Sequence, residues 1–293
     1  MVIASLLLLA GCSDAGDPAA TPRSGTRSDT SPSTDARAGD DPGATGSAGS
    51  GAASPLDAPA PPPPAPPGSG CYRIPFGDLT RPTNDRRPVD CTTRHDAQTF
   101  HVGTLDLVVA GHALAVDADR VVAEIERSCD RRLVEYLGGT GEDRRLTRLR
   151  AVWFAPTLEQ ADRGARWYRC DVVALAGNDE LLRLPPPQQL RGVLDRPSGS
   201  TYGLCGTAAP GDPDFTRVIC ARRHAWRAVA TIALPDGDAY PGAGAVRAAG
   251  DDRCRDLVRD LVDDPLTFRF GWEWPTREQW RAGQRHGYCW APD

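Results

Sequence analysis

The spacing of apolar residues predicts two amphipathic helices, one in each half of the chain. In the first half the apolar positions three and four residues apart are Val122, Ile125, Cys129 and Leu133. In the second half they are Cys254, Leu257, Val258 and Leu261. Residues at this spacing share one face of an α-helix, so each stripe predicts a helix that buries that face against other elements.

Alternation of apolar and polar residues predicts a strand on the C-terminal side of each helix. Every second residue from Leu266 to Trp274 is large and apolar, and Leu149, Ala151, Trp153 and Ala155 alternate in the same way. Successive side chains of a strand point to opposite faces, so each segment predicts a strand with one buried face. Three further segments rich in Val, Ile and aromatic residues predict strands, over residues 167–175, 216–234 and 286–290.

A Pro-Thr-x-x-Gln pattern after each predicted strand indicates a short helix that begins with a capping box and ends at a glycine. The residues concerned are Thr157, Gln160 and Gly164 in the first half and Thr276, Gln279 and Gly283 in the second. Each half therefore has the order strand, helix, strand, short helix, strand. The predicted fold class is α+β, with a helix packed on a small antiparallel sheet in each half.

The two halves are copies of one unit of roughly a hundred residues. Cys-x-x-x-His at Cys91–His95 matches Cys220–His224, and Pro156-Thr157 matches Pro275-Thr276. Two tandem domains are predicted, over residues 71–183 and 199–293, joined by residues 184–198. Eight of the nine cysteines take matching positions in the two copies: Cys71, Cys91, Cys129 and Cys170, then Cys205, Cys220, Cys254 and Cys289.

The first 70 residues differ in composition from the rest. Residues 1–12 end in Leu-Ala-Gly-Cys12, which is typical of a lipoprotein signal, and predict acylation (palmitate) at Cys12. The apolar stretch is short and has no basic residue before it. Either the start site is placed too far downstream, which is the interpretation we favour, or residues 1–11 are a short apolar stretch that only resembles a signal. Residues 13–70 consist mainly of Asp, Ala, Gly, Ser, Thr and Pro and predict a disordered tether. The expected location is extracytoplasmic, on the outer face of the cell membrane, with the lipid as anchor.

Export favours disulfides, which supplement the modest core of a small domain. One plausible pairing joins helix to last strand in each half, Cys129–Cys170 and Cys254–Cys289, and leaves Cys71–Cys91 and Cys205–Cys220. Four cysteines allow three pairings, and the sequence does not select among them. The alternative is a zinc site in each half, built from the cysteines and the histidine of Cys-x-x-x-His.

Charge and motifs argue against several classes of function. The net charge is −5 and every basic residue is an arginine, scattered among acidic residues, so nucleic acid is not a predicted partner. The chain lacks a nucleophile elbow, a His-Glu-x-x-His motif, a phosphate-binding glycine loop and a dinucleotide fingerprint. We therefore expect no catalysis and no cofactor.

The second half resembles the septum formation-related domain of actinobacterial envelope proteins. The residues that carry the resemblance are Val218-Ile219-Cys220, His224, Tyr240-Pro241-Gly242, Cys254, Trp274-Pro275-Thr276, Trp280, Gly283, Arg285 and Cys289. The first half departs from the pattern, with Val109-Ala110-Gly111 in place of Tyr-Pro-Gly and Ala161 in place of the second Trp. If that loop or that Trp is used in binding, only the second half is competent.

The resemblance implies an extracytoplasmic, non-enzymatic domain linked to cell division. The hypothesis is a binding or assembly module at the cell envelope, with divisome or cell-wall proteins as partners. Its candidate binding residues are Tyr240, Trp280, Arg285 and His224. The competing hypothesis is an envelope hydrolase with a site at the junction of the two halves.

Overall fold

The computed structural model describes residues 60–293 and has an α+β architecture; Cys12, the signal and residues 13–59 of the predicted tether lie outside the described residues. The first half begins with strand β1 (Cys71–Tyr72), a 3-10 helix (Phe76–Asp78), β2 (Ala97–Thr104), and the hairpin of β3 (Val108–Val109) and β4 (His112–Ala113). It continues through α1 (Asp119–Leu137), α2 (Gly141–Arg145), β5 (Leu149–Phe154), α3 (Leu158–Asp162) and β6 (Trp167–Ala174).

The connection consists of α4 (Pro187–Leu190) and two 3-10 helices (Val193–Asp195 and Pro197–Tyr202). The second half has β7 (Leu204–Gly206), β8 (Arg217–Ile219), β9 (Trp226–Ala233), α5 (Ala243–Arg259), β10 (Gly271–Glu273), α6 (Arg277–Arg281) and β11 (His286–Pro292).

Each half folds as a long helix on an antiparallel sheet, as the apolar pattern predicted. The strand order is β1-β2-β6-β5 in the first sheet and β10-β11-β9-β7-β8 in the second. All the strand pairs are antiparallel. In α5 a glycine, Gly250, stands where the Trp272 ring crosses the helix, since a Cβ atom there would lie 2.1 Å from the ring. A larger residue at that position would separate helix and sheet.

The buried faces of the helices differ in detail from the predicted stripes. In α1 the predicted residues Ile125 and Cys129 are buried, Val122 and Leu133 are half-buried, and Val121, Tyr136 and Leu137 add to the buried apolar face. Helix α5 ends at Arg259, so Leu261 lies beyond it and is 61% exposed. The stripe predicted for α1 thus includes the centre of its buried face, whereas the stripe predicted for α5 extends past the end of the helix.

The aromatic strand predicted from Leu266 to Trp274 is wrong in length. Only β10 is a strand, and Leu266 is 93% exposed. Gly271 already pairs with Trp290, and β11 ends two residues later at Pro292. Residues upstream of Gly271 therefore have no neighbouring strand to supply hydrogen bonds, and alternation alone does not form a strand.

The predicted helix caps are present in both halves. Thr157 and Thr276 each accept a hydrogen bond from the backbone N–H of the Gln three residues on, and that Gln side chain accepts one from the N–H of the Thr. Gly164 and Gly283 follow with φ of +93° and +91°, a conformation that favours glycine. The repeated Pro-Thr pattern thus has an architectural function.

All eight predicted disulfide cysteines are paired. Cys129–Cys170 and Cys254–Cys289 tie each long helix to the central part of its sheet, and Cys71–Cys91 and Cys205–Cys220 close shorter loops. The loops span 41 and 35 residues for the first two and 20 and 15 for the others. A zinc site needs thiolate ligands, and these sulfurs are bonded to one another instead.

Residues 60–293 lie within one compact unit, and the two halves share part of their packing. Leu204 donates a backbone hydrogen bond to Leu146 (2.6 Å), and Arg148 donates one to Tyr202 (2.7 Å). Ile219 of β8 is fully buried in a cluster that consists mainly of first-half and connecting residues. The residues of this cluster are Tyr136, Leu137, Leu149, Val172, Ala174, Ala176, Leu184, Leu190, Val193, Tyr202 and Ile219. The connection over residues 184–198 is consequently packed into the fold.

None of the helices described for residues 60–293 has the length and apolar character needed to cross a membrane.

Candidate functional site

The four candidate binding residues lie at two separate places in the second half. Tyr240 and Arg285 each contact Trp280, which lies in α6. His224 precedes β9, whereas the backbone of Arg285 accepts a hydrogen bond from Leu234, beyond the far end of the same strand. Ten residues of extended chain span about 30 Å. His224 therefore belongs to a different site from the other three.

Trp280 forms the base of the first site. It is fully buried, and its Nε1 donates a hydrogen bond to the carbonyl of Gly237 (3.0 Å). Tyr240 packs edge-on against the Trp280 ring with centroids 5.9 Å apart, and its hydroxyl donates to the carbonyl of Pro275 (3.1 Å). Trp280 was a candidate binding residue, yet only Tyr240 and the flanking arginines can meet a partner; Trp280 positions them.

Two arginines cover this aromatic pair. The Arg285 guanidinium lies 4.2 Å from the centre of the Trp280 ring and donates to the Trp280 carbonyl, and Arg277 lies 5.4 Å from the centre of the Tyr240 ring. Stacking on Trp280 makes Arg285 half-buried. Within residues 60–293 neither guanidinium has a carboxylate within 4.0 Å. We name Tyr240, Arg277, Trp280 and Arg285 the aromatic–arginine cluster.

The first half has no counterpart of this cluster. Ala161 occupies the position of Trp280, and the β3–β4 turn, with Ala110 at φ 52° and Gly111 at φ 80°, replaces the Tyr240 loop. Arg166, the equivalent of Arg285, is exposed. Pro62 of the tether lies against the first half at Gly164: a Cβ atom added to that glycine would be 3.3 Å from the Pro62 side chain. The expectation that only the second half keeps this surface agrees with these positions.

The two histidines of the Cys-x-x-x-His motifs make one shared contact and one that differs. In each, Nδ1 faces the carbonyl two residues earlier, at 2.8 Å for His95 and 2.6 Å for His224. The Nε2 atom of His95 is buried against the Gln98 amide (2.7 Å). That of His224 instead meets the Asp293 carboxylate at 2.5 Å. In both halves this contact ties the histidine ring to the turn that precedes a strand.

His224 also lies beside the Cys205–Cys220 disulfide, with the candidate ligand atoms of the three residues within 4.8 Å of one another. Asp293 is held by Arg227, whose Nε donates to it at 2.7 Å. This hydrogen bond, together with a smaller contribution from His224, keeps the pKa of Asp293 below its ordinary value. The group is a structural clamp on the C-terminal strand, and His224 is committed to it.

A buried ion pair in β6 was not found from the sequence. Arg169 and Asp171 lie 3.0 Å apart, and the guanidinium is 3.8 Å from the centre of the Tyr72 ring. Burial raises the pKa of Asp171 to about 6, although Arg169 and a hydrogen bond from Thr99 act in the opposite direction. Tyr288 and Trp290 occupy the matching positions beside Cys289. The pair is inaccessible, so its function is structural.

Comparison with known proteins gives one family. The family model described as septum formation matches residues 68–289, which include both halves and all eight paired cysteines. No curated protein matches the chain, and no solved structure does.

Proposed function

This chain belongs to the septum formation family, and from that premise we propose that it is a non-catalytic binding module of the cell envelope. Family membership relates the chain to septum formation and so to the envelope. The finer proposal is that the second half captures a protein of the division or wall-synthesis machinery. Under the same proposal the two halves are tandem copies, and the second has kept the surface that binds.

The aromatic–arginine cluster is the observation that carries this proposal. Tyr and Arg are the residue types most often found at the energetic centres of protein interfaces. Here the Tyr240 ring and the Arg285 guanidinium pack against Trp280, and Arg277 lies over the Tyr240 ring, so Tyr240 and Arg285 lose little side-chain entropy on binding. Two arginines without carboxylate partners fit an acidic segment on the partner, because guanidinium groups bind carboxylates through paired hydrogen bonds.

In-cell crosslinking of the full chain, followed by identification of the captured proteins, tests the proposal. Tyr240→Ala and Arg277→Ala should reduce capture of division or wall-synthesis proteins at least about tenfold, the effect of losing one well-placed interface residue. Arg166→Ala is the matched control, because Arg166 is the equivalent of Arg285 in the half without the cluster. Equal capture by all variants, or turnover of a wall-derived substrate that depends on one Asp, Glu or His, would contradict the proposal.

We also propose that the protein is anchored by lipid at Cys12, which lies outside the described residues. The support is the Leu-Ala-Gly-Cys signature followed by a long polar tether. Detergent phase partitioning of the wild type and of Cys12→Ala tests this anchor. The wild type should enter the detergent phase and the variant the aqueous phase; aqueous partitioning of both would refute lipidation.

A further inference from the structure

The proline-rich end of the tether, residues 60–67, is seated on the first half. Just after these prolines the chain is fixed by Thr99, whose backbone N–H donates to the carbonyl of Gly70 (2.8 Å). At the other end Pro62 lies against Gly164, the glycine that follows α3. The first half thus carries a proline-rich segment of its own chain on its surface.

The burial of these prolines has a period of three. Pro63 and Pro66 are half-buried, whereas every other residue from 61 to 67 is exposed. Consecutive prolines favour the polyproline II helix, which has three residues per turn, so residues three apart share one face. The segment therefore presents the face of Pro63 and Pro66 to the protein.

The second half has the same glycine turn. The φ angles of Gly164 and Gly283 are +93° and +91°. Gly164 donates a backbone hydrogen bond to the carbonyl three residues before it (2.9 Å), and Gly283 does the same (3.0 Å). Gly283 is exposed, and a Cβ atom added to it would have no atom of residues 60–293 within 4 Å. Within the described residues, the surface that Pro62 covers in the first half is uncovered in the second.

The course of the chain before β7 explains this difference. Strand β1 follows the proline-rich segment, whereas β7, at the matching position of the second half, follows the connection between the halves. In that connection Val193 and Tyr202 are buried in the cluster that the connection shares with the first half. The segment before β7 is therefore packed elsewhere and leaves the turn at Gly283 open.

The open turn borders the aromatic–arginine cluster. The backbone N–H of Gly283 and the guanidinium of Arg285 donate to the same acceptor, the carbonyl of Trp280. Tyr240 packs on the Trp280 ring and is only half-buried, so part of its own ring is exposed. Proline-rich segments bind to surfaces lined by aromatic side chains, and they lose little entropy because polyproline II is already formed. The second half thus has an aromatic surface beside a turn whose counterpart is in contact with a proline.

We propose that the second half binds a proline-rich segment of another envelope protein, in the polyproline II conformation, across Gly283 and the aromatic–arginine cluster. This inference rests on the proposed function and names the chemistry of the partner. A second copy of this chain is the less suitable source, because its prolines are already seated on its own first half. A carboxylate beside the prolines of the partner would pair with Arg277 or Arg285.

A synthetic peptide of residues 57–67 serves as the probe, because it contains the proline run and one acidic residue, Asp57. It is titrated into the full chain carrying Cys12→Ala, and binding is followed by NMR. The backbone signal of Gly283 and the indole N–H signal of Trp280 should shift in a one-to-one complex. The signal of Gly164 should stay in place, since the tether already covers that turn.

Two substituted peptides test the face of the helix. A peptide with Pro63→Ser and Pro66→Ser should bind at least about tenfold more weakly, the effect of losing a well-placed contact. A peptide with Pro61→Ser and Pro64→Ser should bind like the parent peptide, because these two prolines lie on the exposed face. Both peptides lose two prolines three residues apart, so they differ only in the face that is changed.

Variants of the protein test the surface. Tyr240→Ala and Arg277→Gln should each weaken binding of the parent peptide about tenfold. Arg223→Gln, an exposed arginine between β8 and β9, is the charge-matched control and should leave binding unchanged. Near-ultraviolet circular dichroism checks that all three variants are folded. An unmoved Gly283 signal at about 1 mM peptide, a shift at Gly164 alone, or equal weakening by Arg223→Gln would overturn the proposal.

Comparison with in-cell capture separates this inference from the proposed function. Capture that depends on Tyr240, together with no binding of the peptide, would overturn the proline-rich ligand and leave the proposed function intact. Capture unaffected by Tyr240→Ala would instead contradict the proposed function, and the inference with it.

Discussion

At the scale of single residues, one difference between the two halves decides which half has the aromatic–arginine cluster. Trp280 fills the space between Tyr240 and Arg285, and Ala161 stands at its position in the first half. A fully buried tryptophan contributes through apolar area and packing, and it also organises the groups that contact it. The exposed part of the aromatic–arginine cluster thus depends on a residue that is itself fully buried.

We predict that Trp280→Ala destabilises the protein by about 3 to 5 kcal/mol, because the change leaves a cavity in the second core. Urea unfolding followed by circular dichroism measures the loss. Leu158→Ala on α3 is the control: Leu158 is 53% exposed, so its loss should stay within about 0.5 kcal/mol. A small effect at Trp280 would mean that the ring is not part of the core.

His286 gives a prediction for pH dependence. Its folded pKa of about 4 lies below the ordinary 6.5 because of burial, Arg145 and Arg217. As pH falls the unfolded chain takes up the proton first, so neutral His286 contributes stability above about pH 6.5 that is lost as pH falls towards 4. The difference in unfolding free energy between wild type and His286→Gln, in phosphate-free buffer, should therefore shrink over that range.

Subtracting the unfolding free energy of His286→Gln from that of the wild type separates the contribution of His286 from those of groups that titrate in the same pH range. Asp171 has the opposite sign: its pKa is raised to about 6 in the folded state, so its protonation adds stability as pH falls. That contribution is the same in wild type and variant and cancels. A difference that stays constant between pH 4 and 7 would contradict the assignment of His286.

At the scale of elements, the caps were the most predictable feature. A capping box is formed by residues within four positions of one another, so it can be predicted from the local sequence alone. Alternation was less reliable. The segment from Leu266 to Phe270 has the pattern of a strand, but a strand exists only where a neighbour supplies hydrogen bonds, and β11 ends too early.

Removal of either cap should cost about 1 kcal/mol, the usual contribution of an N-cap threonine. The variants are Thr157→Ala and Thr276→Ala, each of which loses the hydrogen bond that the threonine hydroxyl accepts from the Gln backbone N–H. Thr267→Ala is the control, because Thr267 is exposed and in no regular element. Thermal unfolding measures all three; an effect at Thr267 as large as at the caps would show that threonine content, and not capping, matters.

At the scale of the whole molecule, the halves are joined by packing as well as by chain. Ile219 of β8 is buried beside Leu137 and Leu149 of the first half. We predict one cooperative unfolding transition for residues 60–293, and a loss of about 2 to 5 kcal/mol for Ile219→Ala. Hydrogen exchange should show faster opening of β2 in the first half as well as β9 in the second.

The hydrogen-exchange experiment also has an outcome that would contradict joint unfolding of the two halves. If Ile219→Ala accelerates exchange in β9 and leaves β2 unchanged, the halves open separately and behave as independent domains. The four disulfides remain in all these variants, so the comparison reports on packing between the halves and not on loss of a covalent link.

The sequence by itself determined what depends on neighbours along the chain. Helical periods, the capping boxes at Thr157 and Thr276 and the repeated motifs all follow from residues a few positions apart or from comparison of the two halves. The sequence did not determine the disulfide pairing: three pairings were open in each half, and the structure selects Cys129–Cys170 and Cys254–Cys289 with their two companions.

Tertiary structure decided what depends on residues distant in sequence. Trp280 is buried because Tyr240 and Arg285 close over it, and β10 is short because β11 ends. Asp293 meets His224 and Arg227, residues 69 and 66 positions before it, because β11 pairs with β9. Local pattern fixes which face of an element is apolar, but only the packing of whole elements fixes which charges become neighbours.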